Sequence, residues 1–232
     1  VTKIEPKTGH ATIEINHNEV LLMRADQIPG EVLHVGDIIK VYITGVSKEY
    51  KEGAKKQSLR ITRTDRGLIK RLFELECPEI YDGTVEIKSI AREAGSRTKI
   101  AVWSNDPDVD AVGACVGMNG ARVNAVVEEL RGEKIDIINW DENPAILIEN
   151  ALSPAKVVSA VADDEEKKAK IVVSEQQLSL AIGKQGQNVR LAAKLTGYGI
   201  DIKSEAEPEE HTEEENLEEE YVEPSELSLD EE

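Results

Sequence analysis

Gly117-Met118-Asn119-Gly120 and Gly183-Lys184-Gln185-Gly186 stand 66 positions apart in matching surroundings. Val112, Cys115 and Val116 precede the first loop at i, i+3, i+4 spacing, and Leu178, Ala181 and Ile182 precede the second at the same offsets. Beyond the loops, Val123, Val126 and Val127 match Val189, Ala192 and Ala193. Apolar residues at this spacing share one face of a helix, so each loop joins two helices whose apolar faces keep one register. With 16 glycines in 232 residues, about one Gly-x-x-Gly arises by chance, and the duplicated context carries the argument. A tight glycine turn between helices exposes helix N-terminal amides beside residues without a Cβ, so a phosphate backbone can approach closely. The pattern points to single-stranded nucleic acid.

The elements around each loop repeat as well. Leu68, Ile69, Leu72, Phe73 and Leu75 predict a helix, stopped at Cys77-Pro78 because proline disfavours helix at the residue before it. Strands are expected over 83–90 and 97–104. Asn105-Asp106-Pro107-Asp108 then offers capping chemistry before a helix over 109–116, followed by a helix over 121–131 and a strand over 134–140. The second copy reads as a helix over 143–152, strands over 155–162 and 170–173, helices over 176–182 and 187–196, and a strand over 199–203. Each copy is helix, strand, strand, helix, glycine loop, helix, strand, with no flexible linker between copies. Two α+β modules in rigid tandem follow, over residues 65–141 and 142–203.

Residues 1–64 have a different period. Ile13 and Ile15 alternate with Thr12, Glu14 and Asn16; Ile39, Val41 and Ile43 alternate with Lys40, Tyr42 and Thr44; Leu59 and Ile61 continue the pattern. Pro29-Gly30, Gly36-Asp37 and Gly53 punctuate these runs with turn chemistry. Short strands between regular turns predict a small all-β barrel, and an OB fold fits the length. Val1 opens mid-strand in character, so the barrel is expected to be N-terminally truncated, in a fragment of a longer protein.

The formal net charge of −18 is concentrated at one end. Residues 204–232 hold 15 of the 46 acidic residues and none of the 28 basic ones, leaving −3 over residues 1–203. That segment has no periodic apolar face and is expected to be a disordered acidic tail, either solvated, or folded over a basic surface in competition with RNA, or docked on a basic partner. Lys48 to Arg71 holds nine basic residues against three acidic, and partner inference follows such local fields. No apolar run approaches the ~18 residues of a membrane span. Cys77 and Cys115 are too few for a disulfide framework or zinc site. A cytoplasmic chain without metal or cofactor is expected.

Both glycine-loop units resemble KH modules of the bacterial type, in which this loop clamps about four nucleotides of backbone. Longer stretches are similar to the NusA family of bacterial transcription elongation and termination factors: residues 27–31, 67–76, 78–85, 90–95, 105–110 and 178–184. The resemblance implies an S1-type OB barrel followed by two KH domains, all three forming one RNA-binding surface. It also implies a non-enzymatic role in RNA polymerase pausing, intrinsic termination and antitermination, with nascent RNA held across both loops of a monomer. RNA polymerase and other Nus antitermination factors are the implied protein partners, polymerase mainly through an N-terminal domain that this chain lacks.

The candidate RNA contacts are Gly117, Met118, Asn119, Gly120 and Arg122 in the first module. In the second they are Gly183, Lys184, Gln185, Gly186, Asn188 and Arg190. Lys184 is placed to meet phosphate from inside the loop, and Gln185 to hydrogen-bond phosphate, sugar or a base edge. Asn188 and Arg190 begin the following helix. The first loop departs from the family pattern of a basic residue inside the turn, so fewer released counterions are expected from that half. In the barrel, Tyr42 and Tyr50 are the available aromatic platforms. His17 and Arg24 are candidates for its binding face, and the run Lys48–Arg71 is either an RNA track or solubilising surface. Trp103 and Trp140 read as core-edge packing. There is no Gly-x-x-x-x-Gly-Lys-Ser/Thr loop, and His10, His17, His34 and His211 lack metal-ligand spacing, so no catalytic residue is assigned. Two rivals stay open: a KH/S1 protein-docking scaffold, and the RNA-binding appendage of an exoribonuclease, where the KH module precedes the barrel.

Overall fold

The computed structural model describes residues 1–51 and 54–205, and the side chains of all of these except 47–51 and 54–58. The expected acidic tail, from residue 206 onward, lies outside the described residues, as do the side chains of Lys48 and Tyr50.

Alternating apolar residues build β1 (Lys3–Ile4), β2 (Ala11–Ile15) and β3 (Asn18–Leu22), an antiparallel sheet. Asn16 and His17 turn the β2–β3 hairpin with φ of 49° and 62°, the left-handed pair that suits strand twist. A long hairpin follows, β4 (Tyr42–Lys51) and β5 (Ala54–Thr62). Sheet and hairpin bury one core of Ala11, Ile13, Val20, Leu22, Leu33 and Ile61. Among the described residues their ladders do not join into a closed barrel. The alternating run from Ile39 was expected to be strand, but regular pairing begins only at Tyr42. The chain before it is turned by Gly36 at φ 96° and meets the sheet at Val1, where Gly36 N donates to the Val1 carbonyl at 2.9 Å.

The first glycine-loop unit opens with α1 (Arg66–Glu76), capped by Asp65, whose Oδ1 accepts from Gly67 N at 2.6 Å. Pro78 then starts the short α2 (Pro78–Tyr81), where its missing N–H costs nothing. β6 (Val85–Glu93) runs antiparallel to β7 (Arg97–Ser104). Then come α3 (Ala111–Val116), α4 (Ala121–Glu129) and β8 (Lys134–Asn139), which pairs parallel to β7. The α3 cap is Asp110, not the expected Asn105–Asp108 stretch, because its carboxylate accepts from Val112 N. The second unit repeats the order as α5 (Pro144–Ala151), β9 (Val157–Asp163), β10 (Lys168–Val173), α6 (Glu175–Ile182), α7 (Gln187–Thr196) and β11 (Gly199–Ser204). Its sheet has the same pairing, β9 antiparallel and β11 parallel to β10.

Strand periodicity explains how the units join. Ile100 and Val102 of β7 turn into the first core, with Leu68, Phe73, Cys115 and Val126. Ala101 turns the other way, and with Ala91 and Ile138 it joins Ile148, Leu152, Ile171, Ala181 and Leu191 in the second core. The outer face of the first sheet is thus a wall of the second unit. Lys99 lies on that face, fully buried, with Nζ donating to Asp136 Oδ2 at 2.9 Å and to the Ser153 carbonyl at 2.8 Å. Burial lowers its pKa, partly offset by Asp136.

The N-terminal region is tied to the first unit by Ile28, which enters its core, and by Arg63. Arg63 is fully buried; it forks onto Glu31 at 2.6 and 3.0 Å and reaches Glu129 Oε1 at 2.8 Å. Among the described residues, no helix is long and apolar enough to cross a membrane.

Candidate nucleic-acid interface

Both glycine loops adopt one backbone. Gly117, Asn119 and Gly120 have φ/ψ of 72/173°, 53/26° and 77/12°, and Gly183, Gln185 and Gly186 have 76/170°, 53/31° and 70/16°. Gly120 N donates to the Gly117 carbonyl and Gly186 N to that of Gly183, each at 3.1 Å. A Cβ on Gly183 would lie 2.8 Å from Asn188 N, and one on Gly117 would lie 2.7 Å from Arg122 Cγ. The residues between the glycines face outward: Met118, Asn119, Lys184 and Gln185 are all exposed.

Arg122 and Asn188 occupy the same offset, five residues after the first glycine of each loop, and both turn inward. Arg122 Nη1 donates to the Ala114 carbonyl at 2.6 Å and to Glu79 Oε2 at 2.8 Å. Asn188 is buried, and its Nδ2 donates to the carbonyls of Leu152 at 2.9 Å, Ala181 at 3.1 Å and Leu180 at 3.4 Å. Ala114 and Leu180 are themselves matching positions, at helix ends whose carbonyls lack intrahelical donors. In the structure these two expected RNA contacts brace the loops from behind. The shared offset, beside glycines with no side chain to fill the space, was the available sign.

Arg190 stays beside the second loop with its charge already met. Its Nε and Nη2 donate to Glu93 at 2.6 and 3.1 Å, and its Nη1 donates to the Gln185 carbonyl at 3.0 Å. The hydrogen bond from Arg190 holds the Glu93 carboxyl down to a pKa of about 2. Lys184 lines a cleft of about 390 Å³ with Ser96, Arg97 and Lys134 of the first unit. Arg97 forks onto Asp136 at 2.7 and 2.8 Å, while Lys134 is exposed. Sequence reasoning missed Glu93, Arg97 and Lys134, which lie far along the chain from the second loop beside which the fold sets them.

A family model of the NusA-like first KH domain matches residues 63–140, and one of the NusA-like second KH domain matches residues 144–210. The transcription termination/antitermination protein NusA of Halalkalibacterium halodurans is 56% identical over 198 residues, 85% of this chain and 51% of that one. The NusA of Bacillus subtilis is 55% identical over 198 residues, 85% and 52% of the two chains. That of Thermus thermophilus is 50% identical over 200 residues, 86% and 50%.

The chain belongs to the NusA family. Its glycine-loop units are the family's paired KH domains. It spans about half the length of the NusA relatives it matches.

Away from the two glycine loops of the NusA KH pair, several expected contacts are otherwise engaged. Tyr42 packs half-buried against α1, so close that a Cβ on Gly67 would fall 2.5 Å from its ring. Arg63, inside the basic run, is buried in its ion pairs and cannot line an RNA track. Arg71 pairs with Glu74 at 2.6 Å. Arg24 Nη1 donates to Gln27 Oε1 at 3.0 Å, and His17 stands exposed beside Glu14. Trp103 and Trp140 meet edge to face at 5.6 Å, with Lys88 Nζ 5.5 Å from the Trp140 ring centre. Among the described residues, no three His, Cys, Asp or Glu side chains converge as metal ligands would.

Proposed function

We propose that this chain binds single-stranded RNA as part of a bacterial factor that modulates polymerase pausing, intrinsic termination and antitermination. The observation that carries the reading is the pair of Gly-x-x-Gly loops with one backbone geometry and outward-facing central residues. Such a loop lets a sugar-phosphate backbone lie against glycine and against the start of the next helix. Gly117, Gly120, Gly183 and Gly186 supply the close approach, and Lys184 the phosphate contact. Gln185 and Asn119 supply hydrogen bonds, and Met118 packs on a base or sugar. The names of the NusA relatives support the transcriptional role.

On the same reading residues 1–64 are an S1-type OB domain, 65–141 the first KH domain and 142–203 the second. The protein is non-enzymatic and cytoplasmic, needs no cofactor, and works with RNA polymerase and other Nus factors. The sheet, hairpin and common core of the N-terminal region are what support an OB origin there.

Fluorescence anisotropy with an unstructured RNA of about 10 nucleotides, across a salt series, tests the reading. Salt-dependent binding that weakens severalfold in Lys184→Asp is the expected result. No binding by the wild-type chain would leave the protein-docking scaffold in its place.

A further inference from the structure

Glu93 ends β6 in the first KH domain, yet its carboxylate is spent on the second. It accepts from Nε and Nη2 on one edge of the Arg190 guanidinium, and Gln187 Nε2 donates to it at 2.9 Å while reaching Ser96 Oγ at 2.7 Å. Arg190 Nη1 carries the connection onward to the carbonyl of Gln185, the left-handed residue inside the second loop. A continuous run of hydrogen bonds therefore leads from the first domain to the backbone of the second domain's loop. Among the described residues the first loop has no such tether. Ala121 and Asn124 stand where Gln187 and Arg190 would be, and its brace, Arg122 on Glu79, lies within its own domain.

We infer that Glu93 is a positioning residue for the second RNA loop. It holds Arg190 against the Gln185 carbonyl and so keeps Lys184 presented to phosphate. The inference rests on the RNA-binding reading above. Two effects of opposite sign meet at this residue. As an anion beside a surface for a polyanion, Glu93 should weaken RNA binding by charge alone. Gln185 holds a left-handed conformation that the asparagine at the matching place in the first loop adopts more readily, so as its anchor Glu93 should strengthen binding by ordering the loop in advance. The paired geometry favours ordering. Arg190 has already neutralised the carboxylate, so little repulsion remains to be relieved.

The experiment is RNA anisotropy on the full chain with Glu93→Ala, alone and with Lys184→Gln. Glu93→Ala is expected to lower affinity about tenfold, the loss typical of a hydrogen-bonded charged group, although the protein gains positive charge. In the Lys184→Gln background the same change should have little further effect, because the tether acts through that lysine. Exchanging the pair, Glu93→Arg with Arg190→Glu, should not restore the affinity, because a carboxylate at position 190 has no hydrogen to donate to the Gln185 carbonyl. Unchanged or tighter binding by Glu93→Ala, or losses that add fully with Lys184→Gln, would overturn the inference. If thermal melting shows that Glu93→Ala does not fold, Glu93→Gln is read by the same criteria. Absence of RNA binding by the wild type is a separate failure, of the RNA reading itself.

Discussion

At Gly183 a single methyl group decides whether the second loop can form. Its φ/ψ of 76/170° belongs to a region open essentially to glycine alone, and a Cβ would press on the Asn188 backbone at 2.8 Å. Gly186 is left-handed too, but an added Cβ there meets nothing closer than 3.9 Å. Gly183→Ala is expected to destabilise the fold by about 2–3 kcal/mol, and Gly186→Ala by about 1 kcal/mol. Urea denaturation measures both, and equal losses would contradict the steric account. The glycines were legible in the sequence because their spacing is local. The role of Asn188 was not, since one of its acceptors, the Leu152 carbonyl, lies 36 residues away. Glu93 was less legible still, 97 residues from Arg190.

At the scale of elements, the two helix–loop–helix segments share a backbone and differ in charge. Replacing Met118 by lysine places a cation at the position Lys184 occupies in the second loop. Met118→Lys is expected to raise RNA affinity and to steepen the dependence of log K on log salt by about 0.7. Anisotropy across a salt series reads both quantities, and an unchanged slope would take the first loop off the RNA path. Helices and strands of the KH pair were readable to within a few residues, because caps and periodicity act locally. The α3 start moved to Ala111 because two nearby aspartate sites competed for the cap and Asp110 took it. The N-terminal region was harder, since alternation such as that from Ile39 marks a strand only where a partner strand lies alongside, and partners are chosen by tertiary contacts.

Across the whole molecule, buried charge and shared cores make the described parts interdependent. Arg63 links the N-terminal region to α4 through Glu31 and Glu129. Truncating it leaves the fully buried Glu31 carboxylate with only its longer ion pair to Arg131 at 3.7 Å, so Arg63→Ala is expected to cost about 3 kcal/mol, measured by chemical denaturation. A loss under about 1 kcal/mol would show that water reaches the pair. The join between the KH domains is of another kind. Ala91, Ala101 and Ile138 of the first domain line the core of the second, and residues 140–143 carry the chain across, with Trp140 packed against that core. The obvious place to divide the duplication is therefore the wrong place to cut. An excised second domain would lose one wall of its interior, and a first domain alone would show that wall to water. Two copies of one motif have given up their independence, so recombination could move them only together, as a single heritable part.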